Sequence, residues 1–154
     1  MGFEQLQLIT QPKNRIWTLF FWMSSAGMFL LIAVASCTSR EMFGEIYTMV
    51  AEFLSLSKTS LSMSLRGHPG LGHFLCYALL SFSLSGVFSR RNIFIAPVVA
   101  VLFGVLMEFV QSFIPSRDAS LVDIGINFLG VVLGIGIYKL WVTYVRPSDK
   151  ARLG

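Results

Sequence analysis

The chain carries four long apolar runs, at about 16–36, 71–88, 93–114 and 122–145. A helix needs roughly 17–25 such residues to cross the roughly 30 Å hydrocarbon core of a bilayer. No water reaches that depth, so backbone groups must bond inside their own segment, and runs of this length do so as helices. Only 13% of the residues are charged and the mean hydropathy is +0.70, where soluble domains average about 25% charged. The expected fold is all-α, an integral membrane four-helix bundle in one domain over 16–145. A polar segment at 1–15 precedes it and a short tail at 146–154 follows.

Basic residues set the orientation. With the N-terminus inside, Lys13, Arg15, Arg90, Arg91, Lys139, Arg146, Lys150 and Arg152 lie on the cytoplasmic side. Arg40, Lys58, Arg66 and Arg117 lie outside. Eight against four favours both termini in the cytoplasm. The acidic residues Glu41, Glu45, Glu52, Glu108, Asp118 and Asp123 fall on the outer half. The Lys and Arg flank apolar spans and form no basic patch interleaved with aromatics, so a nucleic-acid partner is excluded. Trp17 and Trp22 sit near the start of the first span, as interfacial aromatics do.

Residues 37–70 hold most of the non-spanning sequence. Thr38-Ser39-Arg40-Glu41 has the form of a capping box. Met42, Ile46, Met49, Val50 and Phe53 then recur at helical spacing, with Glu41, Glu45 and Glu52 on another face. This predicts an additional amphipathic helix on the outer surface, followed by a Ser-rich loop ending in Gly67-His68-Pro69-Gly70. A competing reading exists for the first span. Val34-Ala35-Ser36-Cys37 fits the small-residue pattern before a lipidated cysteine, but the run exceeds the usual ~7–15-residue signal core. A retained span is therefore expected. Cys37 and Cys76 form no CxxC or zinc spacing.

The later spans carry the polar side chains. His73 and Tyr77 are four residues apart on one helical face, which Ser81 and Ser85 continue. The short basic loop Ser89-Arg90-Arg91-Asn92 forces the second and third spans into an antiparallel hairpin, and Pro97 falls in the first turns of the third. Gly104, Glu108 and Gln111 share one face of the third helix. Glu108 precedes the Pro115–Asp118 break by roughly 10 Å at about 1.5 Å per residue. Asp123 and Asn127 share a face of the fourth helix with Gly130, and Gly130, Gly134 and Gly136 are expected to allow close helix contact. Four packed helices bring His73, Glu108, Gln111, Asp123 and Asn127 to a common depth below a loop carrying Arg117 and Asp118.

The segments GLGHFLCYALL and MEFVQSFIPSRDASLVDIGINFLG resemble the VanZ-like membrane proteins. The matching positions are His73, Glu108, Gln111, Phe113, Arg117, Asp123, Asn127 and Gly130, and they cover the second to fourth spans. Members often carry a lysine three residues before the histidine, where this chain has Gly70; contacts from that lysine would fall to Arg66 or Arg117. The resemblance implies a multi-span protein of the bacterial inner membrane and cell envelope. It also implies a connection to antibiotic resistance, since the name-giving member is linked to resistance to the glycopeptide teicoplanin.

Two functional readings follow. In the first, the cluster binds or modifies a lipid-linked or cell-wall precursor among the membrane lipids. Glu108, His73 and Asp123 are then the proton-transfer candidates, and Arg117, Gln111, Asn127 and Tyr77 the substrate-binding ones. In the second, the protein is a non-catalytic structural or interaction protein whose cluster only locks helix packing. A transporter would need polar residues through the whole bilayer, whereas Phe94–Leu106 and Leu129–Ile137 are nearly all apolar. No cofactor motif and no tight metal-ligand spacing is present, so no cofactor and no metal are expected.

Overall fold

The computed structural model describes residues 12–39, 42, 45, 69–88, 92–114 and 119–144. Its elements are four helices, α1 (Pro12–Cys37), α2 (Pro69–Val87), α3 (Ile95–Gln111) and α4 (Leu121–Tyr144), and the described residues contain no strand. Both α1 and α2 begin at a proline, at the position where a missing N–H costs nothing. Arg15–Cys37, Gly70–Val87 and Leu121–Tyr144 are each long and apolar enough to cross a membrane. Helix α3 is apolar but shorter, 17 residues, or about 25 Å.

Helix α3 does not fill the expected span of 93–114. Its last regular residue is Gln111, after which the Phe113 and Ile114 N–H groups donate to the Val110 and Gln111 carbonyls in tighter turns. Pro115 follows, and the residues before a proline are pushed away from helical geometry. The expected cap after α1 is also displaced by one residue. The Ser39 hydroxyl accepts the Met42 N–H at 3.3 Å, while the Thr38 hydroxyl turns back to donate to the Val34 carbonyl. Met42 and Glu45 are helical; the remainder of the expected amphipathic helix and the Ser-rich loop lie outside the described residues.

Polarity is arranged inside out relative to a water-soluble fold. Leu102 and Phe109 on α3 are 64% and 62% exposed, while Glu108 on the same helix and Asn127 on α4 are each 3% exposed. Leu19, Phe20, Leu30, Val132 and Leu140 also face outward. An outer surface of this kind suits a hydrocarbon solvent and would be a large aggregating patch in water. The chain is a multi-pass membrane protein.

Helix α2 lies against each of the other three and most closely against α4. The two run parallel. A Cβ built on Gly130 would strike the Phe74 carbonyl oxygen, and one built on Gly134 would strike that of Ala78. Backbone therefore touches backbone, and the Ser81 hydroxyl donates to the Val131 carbonyl across the same seam at 3.0 Å. Lipid supplies no hydrophobic drive between helices, so close van der Waals packing over small residues must hold the pair. Gly136 was expected to join this seam but has open space around it. It is two residues from Gly134, about 200° around the helix at 3.6 residues per turn, and so faces the other way.

Helix α3 runs antiparallel to this pair. Gly104 meets Tyr77 and Asn127, and Glu108 reaches back to Ser120 at the head of α4. Helix α1 closes the opposite end through aromatic rings. Phe21 sits on Gly86, within 6.2 Å centroid distance of Phe82, Tyr138 and Trp141, and Trp17 meets Trp141 at 5.7 Å. Farther along, Phe29 stacks edge-on to Phe103.

Gly130→Ala and Gly134→Ala should each lower unfolding free energy in detergent by about 1–3 kcal/mol, the usual cost of overpacking. Gly136→Ala should leave it unchanged or slightly raised. Denaturant titration followed by tryptophan fluorescence checks the series.

Candidate functional site

The apolar sequence around Glu108 forces its helix to expose Leu, Val and Phe to lipid and to turn its few polar residues inward. Gly104, Glu108 and Gln111 all lie on the buried face of α3. Gly104 is where α3 lies against both α2 and α4. A Cβ there would lie 3.2 Å from Tyr77 Cε1, 3.5 Å from Tyr77 Cζ and 3.6 Å from Asn127 Cβ. Three helices thus meet over one glycine, which lets the Tyr77 ring and the Asn127 side chain come together beside α3. Glu108 lies one turn further along α3 on the same buried face.

Only part of this polarity is satisfied. Glu108 Oε2 accepts the Ser120 backbone N–H at 3.2 Å. Glu108 Oε1, Tyr77 OH, Gln111 Nε2 and both Asn127 amide atoms are buried with no hydrogen-bond partner. The Asn127 result does not depend on which way its amide is turned, since oxygen and nitrogen are both unpaired. An unmade hydrogen bond of this kind costs about 1–3 kcal/mol. By contrast, Ser81 and Ser85 on the same face of α2 are fully bonded to the Val131 and Ser81 carbonyls.

Ser120 connects the cluster to the fold. Its hydroxyl accepts the Val122 and Asp123 N–H groups, which makes it the N-cap of α4. In a capping box the third helical residue would reach back to the cap's own N–H. Here Asp123 holds that third position, yet Glu108 of α3 takes the Ser120 N–H instead. The carboxylate therefore ties the end of α3 to the start of α4. Sequence reasoning passed over Ser120. The Ser120-Leu121-Val122-Asp123 pattern before an apolar run was the available signal.

His73 and Asp123 are half-buried, each one turn from Tyr77 and Asn127. Neither side chain makes a hydrogen bond to another described residue, so His73 is not bonded directly to Glu108 or Asp123. Arg117 and Asp118 lie outside the described residues. Among the described residues no group of three His, Cys, Asp or Glu is placed to hold a metal ion. Cys37 and Cys76 are both free thiols, exposed and half-buried respectively.

The family model described as VanZ/LLP1 matches residues 15–142. The chain belongs to the VanZ/LLP1 family. The match covers nearly all of the four helices and every residue of the polar cluster. No curated protein and no solved structure matches the chain. In this VanZ/LLP1 chain, the residues that carry the resemblance divide by environment. Glu108, Gln111, Asn127 and Gly130 are buried in the helix interior, whereas Phe113 is exposed at the end of α3.

The bond to Ser120 separates two Glu108 substitutions. Glu108→Gln keeps a carbonyl acceptor for the Ser120 N–H and should unfold at the wild-type denaturant concentration. Glu108→Ala strands that donor and should cost about 1–3 kcal/mol. Ser120→Ala removes the cap and should cost about 0.5–2 kcal/mol. Equilibrium unfolding of the purified variants checks all three.

Proposed function

We propose that this VanZ/LLP1 protein binds a lipid-linked or cell-envelope substrate in a pocket open to the outer leaflet of the bacterial cytoplasmic membrane. In this reading α3 also spans, completing a four-span bundle with both termini in the cytoplasm. The segment 37–70, with its amphipathic helix, then lies outside. The Pro115–Asp118 break forms the rim of the pocket.

One observation carries the reading. Five polar atoms on Tyr77, Glu108, Gln111 and Asn127 are buried and unpaired at the end of the helices that the basic residues assign to the outside. Fixed polar groups kept without partners cost stability, and functional sites are where folds accept that cost. Tyr77, Gln111 and Asn127 contact the substrate. Arg117 holds an anionic group at the rim, for which its planar fork is suited. Glu108, His73 and Asp123 perform or gate proton transfer. The connection to teicoplanin resistance belongs to this proposal, as an effect on envelope material that the pocket binds.

A second reading makes the cluster a packing lock. The bond from the Ser120 N–H to Glu108, which joins α3 to α4, favours it. The two readings separate on one experiment. Native mass spectrometry of detergent-released wild-type protein should show a co-purifying envelope lipid. Glu108→Gln and Arg117→Ala should lose that lipid while unfolding as the wild type does. Lipid retained in both variants, or no lipid with both variants destabilised, would favour the lock.

A further inference from the structure

The unpaired atoms also specify what kind of head group would fit, an inference that rests on the pocket reading above. The donors left over are Gln111 Nε2, Asn127 Nδ2 and Tyr77 OH; the acceptors are Glu108 Oε1, Asn127 Oδ1 and again Tyr77 OH. All four side chains are at least nine-tenths buried. Donors and acceptors are therefore both left unpaired on the buried faces of α2, α3 and α4.

Each simple ligand class leaves part of this set unmet. A phosphate or carboxylate offers acceptors only and would leave Glu108 Oε1 and Asn127 Oδ1 unpaired. It would also sit beside the Glu108 carboxyl. Three of the amides at the head of α4 that would favour an anion are already committed, since Ser120 N–H bonds Glu108 and the Val122 and Asp123 N–H groups bond the Ser120 hydroxyl. An ammonium offers donors only and leaves the Gln111 and Asn127 amide hydrogens without acceptors. A hydroxyl both donates and accepts. Hydroxyls can therefore serve both kinds of leftover atom, donating to Glu108 Oε1 and Asn127 Oδ1 and accepting from Gln111, Asn127 and Tyr77.

We infer that the buried cluster of Tyr77, Glu108, Gln111 and Asn127 recognises an uncharged polyhydroxyl head group carried on a lipid. Glycerol and sugar heads both present this chemistry. Any phosphate on the same lipid stays at the rim, outside the cluster.

The test uses the full-length protein in lauryldimethylamine oxide, because a maltoside detergent would itself offer sugar hydroxyls. Native mass spectrometry titrates dioctanoyl phosphatidylglycerol against dioctanoyl phosphatidylpropanol, which has the same charge and chains but lacks the two head-group hydroxyls. Glucosyl dioctanoylglycerol supplies the sugar arm. At least one hydroxylated probe should bind about tenfold or more tighter than phosphatidylpropanol, and the arm with the stronger preference names the head. Tyr77→Phe and Asn127→Leu should erase most of that preference; Tyr77→Phe, which keeps the ring, guards against loss through misfolding. If all three probes bind alike and Glu108→Gln or Asn127→Leu weakens them equally, the hydroxyl inference falls and the lipid pocket stands. If no substitution alters any binding, both fall.

Discussion

The close contact between α2 and α4 fixes everything else in this fold. Lipid is as apolar as the helices it surrounds, so contact area between side chains gives little reason for two helices to stay together. Gly130 and Gly134 remove the side chains and let the α2 backbone at Phe74 and Ala78 come against α4 directly. That contact sets the register of the pair. It brings the Tyr77 ring and the Asn127 side chain to the same contact on α3, and the Ser81 hydroxyl to the Val131 carbonyl. Helix α3 then needs only Gly104 to bring a third polar face to the same level.

The polar cluster is a consequence of that register and a cost to it. Ser81 and Ser85 show that polar groups on this face of α2 can be fully bonded inside the protein. Tyr77, Gln111 and Asn127 are not. Glu108 is divided between the two roles, with one oxygen holding the α3–α4 junction and the other unpaired. One carboxyl group thus joins two helices and still leaves an oxygen without a partner inside the protein.

Much of this was legible in the sequence, because helical periodicity and the expense of polarity in lipid are strong signals. Spacing alone put Gly104, Glu108 and Gln111 on one face and Asp123, Asn127 and Gly130 on another; all are buried except Asp123, which is half-buried. Membership of the VanZ family could be read from the His73, Glu108–Arg117 and Asp123–Gly130 pattern, and the match over residues 15–142 bears it out. Local capping was harder. Ser39 caps where the Thr38 pattern pointed one residue earlier, and Ser120 caps α4 without having been singled out, because neighbouring polar side chains compete for the same few N–H groups and only the chain's path decides between them. Gly136 was grouped with Gly130 and Gly134 by composition, although its angle around the helix turns it away from the seam. The end of α3 was overrun because apolar character continues to Ile114 while regular hydrogen bonding stops at Gln111.

The central claim is that Tyr77 and Asn127 keep their polar atoms for a ligand and not for the fold. Replacing unpaired buried polar groups by apolar ones of similar shape is neutral or stabilising, whereas removing groups that hold a structure together is costly. The unfolding free energy of the Tyr77→Phe, Asn127→Leu double variant in detergent therefore tests the claim most directly. The account predicts a value equal to or above that of the wild type. A loss of about 2 kcal/mol or more would mean that the cluster is a packing lock, and would contradict it.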